Sequence, residues 1–223
     1  FPNFIKPGFT YWNQAVAWFA LVPLLLASEG KGKKRSFGLG FLCGAVFFTG
    51  TLFWVMNVKE MGVLGAPASM ILSLYCALFI GAFSFSYSIL GKTVPRLLLA
   101  PALWVSLEYM RAIFISGFPW ATLGYTQYQN LVVIQCAEVT GVYGVSALLV
   151  LVNAWLAEFF RPFFVEGSRL DRRVMNVSSG IVAVLLAACM VFGAARLASA
   201  PAARAKTIRV GVCQGNIPQD ENL

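Results

Sequence analysis

Six apolar stretches, at roughly 10–27, 37–56, 68–90, 97–116, 142–160 and 177–195, take up most of the chain. A helix needs about 20 predominantly apolar residues to cross a hydrocarbon core. Within that core every backbone polar group must be satisfied internally, which makes the helix the solution for runs of this length. The pattern predicts an all-α polytopic membrane protein with about six transmembrane helices. The first stretch is the weakest, because Asn13 and Gln14 interrupt its start and Pro23 sits inside it. Composition agrees: the chain is 59% hydrophobic and 12% charged, with a mean hydropathy of +0.74, whereas a soluble domain has about 25% charged residues.

The segments between the stretches set an orientation. Lys31, Lys33, Lys34 and Arg35, then Lys92 and Arg96, then Arg161, Arg169, Arg172 and Arg173 fall in alternate loops, ten basic residues on one side. The other side has Lys6, Lys59 and Arg111 before the tail. The positive-inside rule places the ten in the cytoplasm. Segments 1–9, 57–67, 117–141 and the tail after 196 then face outward. This distribution also explains the net charge of +8 without nucleic acid, which is not expected as a partner. Gly38, Gly40, Gly44, Gly81, Ala82, Ala183, Ala187 and Ala188 recur at helical spacing and suit close helix contacts in lipid.

Several chemistries are excluded or disfavoured. The chain has no histidine, so it offers no histidine base or ligand. Cys43, Cys76, Cys136, Cys189 and Cys213 are scattered with no CxxC pair, so neither a zinc site nor a redox motif is indicated. No metal or cofactor is expected. Four of the cysteines lie in or beside apolar stretches, where a free Cys acts as a small hydrophobe. No general base neighbours Cys213, so a nucleophilic role there is not expected.

Polar groups concentrate in residues 104–146. Glu108 and Arg111 are spaced i, i+3 on one helix face, just before a stop at Gly117-Phe118-Pro119-Trp120. They read either as a buried ion pair or as an anchor beneath a lipid head group or a substrate amine. Phe118, Trp120, Tyr125 and Tyr128 suit an interfacial aromatic belt, or alternatively the wall of an acyl-chain site. Gln127 belongs to the same loop. A Gly-rich passage, Gly141-Val142-Tyr143-Gly144-Val145-Ser146, leads back into apolar sequence, where Asn153 stands mid-span as an interhelical hydrogen-bonding residue or a ligand contact. The candidate lipid- or substrate-binding set is Glu108, Arg111, Phe118, Trp120, Tyr125, Gln127 and Asn153; no catalytic residue is assigned.

The composition changes after the last stretch. Residues 1–198 read as the transmembrane domain and 199–206 as a linker. Residues 207–223 read as the start of an α/β domain, with an alternating β-branched run through Thr207–Gln214 and a turn at Gly215-Asn216-Ile217-Pro218-Gln219. The chain reads as a fragment of a longer protein.

Taken in order, the following segments resemble the bacterial apolipoprotein N-acyltransferase family: Phe1-Pro2 with Ala20–Leu26; Pro101–Val105 with Glu108 and Arg111; Gly117–Trp120 with Leu123-Gly124-Tyr125 and Gln127; Gly141–Ser146; Val152-Asn153-Ala154; and Val212 with Gln214–Gln219. The resemblance implies eight transmembrane helices with a periplasmic nitrilase-like (carbon–nitrogen hydrolase) domain before the last, in the bacterial inner membrane. It implies transfer of an acyl chain from a phospholipid to the N-terminal diacylglyceryl-cysteine of a lipoprotein. The implied route is ping-pong through a cysteine thioester, with Glu and Lys completing a triad that falls beyond Leu223. The fragment alone is then expected to be inactive. Two other readings are a polytopic transporter, which predicts polar groups near the bilayer midplane and broken helices, and a membrane scaffold fused to a different domain, such as a polyprenol-linked sugar transferase.

Overall fold

The computed structural model describes residues 14–115, 117–165, 167–168, 171–199 and 210–213. Among the described residues, after a helical piece at 14–16, seven helices follow one another: α1 (Val22–Ser28), α2 (Lys33–Leu52), α3 (Gly65–Leu90), α4 (Arg96–Ile113), α5 (Leu131–Ile134), α6 (Ala137–Phe164) and α7 (Arg172–Ala198). Short 3-10 segments occupy Phe53–Asn57, Lys59–Leu64 and Leu123–Gln127. Among the described residues four helical segments are long and apolar enough to cross a membrane: Lys33–Asn57, Gly62–Leu90, Ala137–Phe164 and Arg172–Ala198. Helix α4 has 18 residues, about 27 Å at the helical rise, and carries Arg96, Glu108 and Arg111.

The stretch expected as a span at 10–27 is not one continuous helix where it is described. Residues 14–16 are helical, 17–21 form turns, and α1 begins at Val22 with Pro23 in its first turn. Proline lacks an N–H and is tolerated in the first turn of a helix, where that donor has no partner anyway. The chain therefore restarts its helix at the proline. The alternating run at 207–214 lies partly outside the described residues. Val210, Gly211, Val212 and Cys213 are described, are exposed and have no regular secondary structure. A strand needs a partner to satisfy its backbone groups, and none is present among the described residues.

The long helices run antiparallel, so their connections gather at two ends. One end carries Lys31, Lys33, Lys34, Arg35, Lys92, Arg96, Arg161, Arg172 and Arg173, and we call it the basic end. The other carries the 3-10 segments, α5 and the aromatic loop, and we call it the rim. Helices α2 and α3 pack closely because two glycines allow it. A Cβ on Gly40 would lie 2.5 Å from the Ile80 carbonyl oxygen, and one on Gly44 would lie 2.9 Å from the Ala77 Cα. This is the small-residue contact that membrane helices use where lipid gives no hydrophobic drive. The main core joins α1, α3, α4 and α6 through Leu25, Phe83, Tyr87, Ala100, Trp104, Val150 and Ala154. Helix α7 packs by one narrow face only, burying Ser178, Val182, Cys189 and Gly193.

At the basic end four charges neutralise each other. Glu29 meets Arg96 at 2.8 Å and Arg161 at 2.5 Å. Glu158 meets the same two arginines at 3.4 and 3.6 Å. The i, i+3 pair Glu158–Arg161 is thus half of a network whose most buried member, Glu29, comes from the end of α1.

Candidate functional site at the aromatic rim

Helix α4 ends at Ile113, and the chain folds back over its last turn: the Phe118 N–H donates to the Arg111 carbonyl at 2.9 Å. Arg111 returns the contact with its side chain. Its Nη1 donates to the Phe118 carbonyl at 2.7 Å and to the Trp120 carbonyl at 2.6 Å, and its guanidinium lies 5.4 Å from the centre of the Phe48 ring. The residue is buried, with 3% of its surface exposed. An arginine fork can hold two acceptors at fixed geometry, and the ring face adds a cation–π attraction. Arg111 is the pin that holds the loop against α2 and α4.

Glu108, one turn earlier, does the same for the next part of the loop. Its Oε1 accepts from the Leu123 N–H at 2.7 Å, and it too is buried. Glu108 and Arg111 do not form an ion pair within 4.0 Å, the arrangement one reading of their spacing anticipated; each is spent on loop backbone. The Gly124 N–H donates to Ser146 Oγ at 2.9 Å, so α6 holds the following residue. Gln127, fully buried, donates from Nε2 to the Gln14 carbonyl at 2.9 Å. Asn130 then caps α5, its Oδ1 accepting from the Val133 N–H at 3.4 Å. The loop is strained as well as anchored: Ile115 and Ala121 have φ of 59° and 57°, a region non-glycine residues rarely adopt. Gly141 at φ 65° breaks α6 into a short first turn and a long span, which brings Ser146 under the loop.

The anchored backbone presents aromatic rings. Trp120 stacks on Trp54 at 5.0 Å between ring centres with 23° between planes, and Phe118 lies 5.9 Å from Trp120. Trp120 is 50% exposed and Tyr125 54%. Tyr109 and Tyr143 form an edge-to-face pair at 5.8 Å. Of the seven sequence candidates, Trp120 and Tyr125 are exposed on the rim, Phe118 is half-buried against the Phe48–Leu52 cluster, and Glu108, Arg111 and Gln127 lie buried beneath it. Asn153 is apart from them, about two turns deeper along α6 than Ser146. It spans the break before α1: Oδ1 accepts from the Leu21 N–H at 2.8 Å, and Nδ2 donates to the Ala17 and Leu149 carbonyls at 2.9 and 2.8 Å.

Several contributors were not expected from the sequence. Trp54 belonged to a predicted span and gave no sign of stacking on residue 120. Cys136 and Cys189, read as independent small hydrophobes, form a disulfide with their Cα atoms 6.1 Å apart. A separation of 53 residues leaves no local trace, because the pairing depends on α5 packing against α7. Beside it Glu138 and Arg196 form a two-bond ion pair at 2.6 and 2.7 Å. No group of three or more metal-ligating side chains occurs among the described residues.

Fold and site together define a helical membrane protein whose polar residues are spent on fixing an aromatic loop at one end of the bundle. A family model described as the apolipoprotein N-acyltransferase N-terminal domain matches residues 7–155, and the chain belongs to that family. An apolipoprotein N-acyltransferase of Geobacter metallireducens is 36% identical over 98% of this chain and 41% of its own length. One from Gloeobacter violaceus is 32% identical over 94% and 40%, and one from Pasteurella multocida is 27% identical over 95% and 40%. The chain thus spans about two fifths of the length of these relatives.

Proposed function

We propose that this chain forms the membrane part of an enzyme that moves an acyl chain from a phospholipid to the N-terminal diacylglyceryl-cysteine of a lipoprotein. The observation that carries the reading is family membership over nearly the whole chain in relatives that bear this name. In this reading six spans cross the bacterial inner membrane, the stretch 10–27 counted as a broken first span. Residues 1–198 form the membrane domain, 199–206 a linker and 207–223 the start of a nitrilase-like domain. The rim faces the periplasm, in keeping with the basic residues at the opposite end. The Cys136–Cys189 disulfide near the rim suits an oxidising compartment.

The chemistry belongs to the part of the relatives that this chain does not cover. A cysteine thiolate attacks the ester carbonyl of the phospholipid, and the lysophospholipid leaves as an alcohol with a proton supplied by a glutamic acid. The lipoprotein amine then attacks the thioester, the thiolate leaves, and the glutamate takes the amine proton. A lysine stabilises the oxyanion in both steps. The residues in hand supply the platform. Phe118, Trp120 and Tyr125 meet acyl chains or head groups at the interface. Glu108, Arg111 and Gln127 set the loop's shape, and Asn153 steadies the broken span. Both amide protons of Asn153 are already taken by backbone, which weighs against the transporter reading that a midplane polar group and a broken helix otherwise invite.

The test is reconstitution of the full-length protein in phospholipid vesicles with a diacylglyceryl-cysteine peptide. Acylated peptide and lysophospholipid are expected in equal amounts. Failure to form either, in protein shown to be folded, overturns the reading.

A further inference from the structure

At the basic end, a cleft of about 510 Å³ opens between α4, α6 and α7. Its charged lining residues are Arg96, Glu158 and Arg173, and its apolar lining includes Leu98, Val177 and Ile181. These three apolar side chains are 59%, 59% and 40% exposed. The lining is therefore amphipathic, with a charged mouth and an open hydrocarbon floor.

The charges at the mouth do not cancel. Arg96 is held by Glu29 and Glu158, and Glu158 is shared with Arg161, so that group of four is neutral. Arg173 stands outside it, exposed, and among the described residues no carboxylate lies within 4.0 Å of its guanidinium. Arg172 and Lys92 are exposed nearby in the fold. Among the described residues Asp171 is the one acid beside them in sequence, and its Oδ1 caps α7 by accepting from the Arg173 and Val174 N–H groups. The described residues of the mouth carry an excess positive charge over an apolar floor, complementary to a molecule with an anionic head and hydrocarbon tails. Basic pockets between helices on the cytoplasmic side of a membrane are suited to anionic head groups.

We propose that this cleft binds an anionic phospholipid, with Arg173 on the phosphodiester head group and the Leu98–Val177–Ile181 floor against an acyl chain. The site is separate from the aromatic rim, at the opposite end of the helices. Only the naming of the leaflet, cytoplasmic, rests on the orientation proposed above; binding itself does not depend on acyl transfer. The lipid fills the gap beside α7, the helix least enclosed by protein, and ties its first turn to α4 and α6.

The experiment is native mass spectrometry of delipidated full-length protein in neutral detergent, with phosphatidylglycerol or phosphatidylcholine added at equal concentration. Wild type is expected to retain phosphatidylglycerol over phosphatidylcholine by about fivefold or more, the factor that one basic residue near a membrane surface contributes. Arg173→Ser is expected to remove that preference, Arg172→Ser to keep most of it, and Val177→Trp to lower retention of both lipids. Equal retention of the two lipids by wild type overturns the proposal, as does an undiminished preference in Arg173→Ser. Displacement of phosphatidylglycerol by millimolar inorganic phosphate also overturns it, because that outcome marks a site for the free anion. All these results are read from bound mass, so they are independent of whether the protein transfers acyl groups.

Discussion

Arg111 reaches nine residues along the chain to hold the Trp120 carbonyl oxygen at 2.6 Å, and in doing so sets where the Trp120 ring lies. The ring itself points the other way, onto Trp54 and outward. A charge buried at a helix end is thereby converted into the position of an exposed aromatic surface. Glu108 acts alongside through the Leu123 N–H. Ionisable groups buried in an apolar bundle are costly unless they find polar partners; here part of the compensation comes from loop backbone, the Phe118 and Trp120 carbonyls for Arg111 and the Leu123 N–H for Glu108, while Glu108 Oε2 has no hydrogen-bond partner among the described residues.

Replacing Arg111 should therefore loosen the loop before it affects the bundle. Arg111→Ala leaves the part-buried Phe118 and Trp120 carbonyls without their donor, at up to about 1–3 kcal/mol for an acceptor that water does not reach. Arg111→Lys restores the charge but not the planar fork and is expected to recover only part of the loss. Detergent-solubilised protein should show a lower Tm in the order wild type, Lys, Ala, with altered tryptophan fluorescence as the Trp54–Trp120 stack opens. A Lys variant as stable as wild type would show that charge alone suffices at this position.

The sequence made the large-scale plan readable because that plan rests on local and additive signals. Apolar length located the helices α2, α3, α4, α6 and α7 to within about five residues, although α4 is not among the segments long and apolar enough to span, and the glycines of 38–44 suited a close helix contact, which Gly40 and Gly44 make with α3. The Gly-rich passage at 141–146 reads in the sequence only as an entry to the next apolar stretch, and the break that Gly141 makes in α6 comes from the structure. The rim was legible as residue types but not as arrangement. Glu108 and Arg111 at i, i+3 suggested a mutual pair, yet the loop that folds back over them lies 7 to 15 residues ahead, and spacing cannot report that return. The Trp54–Trp120 stack, the Cys136–Cys189 bridge and the role of Glu29 all join elements far apart in sequence, and periodicity holds no information about such contacts.

Asn153 offers a test of the broken first span. Asn153→Leu keeps the volume near constant but strands the Leu21 N–H and the Ala17 carbonyl at a point where α1 has not yet begun. Interhelical hydrogen bonds in membranes average about 0.6 kcal/mol with a maximum near 1.7. With two partners to the break, a loss toward or somewhat above that maximum is expected in denaturation by a harsh detergent. Hydrogen exchange should speed up at Leu21 in particular. Protection at Leu21 equal to wild type would mean that the break is held by something other than Asn153.

The disulfide predicts a pattern of thiol reactivity. Cys213 is exposed outside the helices, Cys76 is buried, and Cys43 lies mid-way along the apolar segment Lys33–Asn57, so a water-soluble maleimide applied to folded, unreduced protein should reach Cys213 and spare the other four. After reduction in denaturant all five should react. Closing a loop of 53 residues is worth about 4 kcal/mol on the chain-entropy model. The double variant Cys136→Ser, Cys189→Ser should therefore lose several degrees of Tm, and α5 should separate from α7 first. Five reactive thiols in protein purified without reductant from an oxidising compartment would rule out the bridge.

The last prediction separates shape from contact at the rim. In full-length protein, Trp120→Ala removes an exposed ring and leaves its carbonyl in the grasp of Arg111, because that hydrogen bond is made by the backbone. Stability should fall by no more than about the 0.5–1.5 kcal/mol that the stack on Trp54 contributes, since half of the residue is already outside the fold. Phospholipid-dependent turnover should fall by about 2- to 10-fold, what a loss of about 0.5–1.5 kcal/mol in contact with lipid would give. The loss should appear in KM for the lipid more than in kcat if the ring binds the ground state and the reacting complex alike. Trp54→Ala should act in the same direction through the lost stack, and the double variant should fall less than the product of the two because the rings touch. Multiplicative losses, or an undiminished rate in either single variant, would exclude the stacked pair as the lipid-contacting surface.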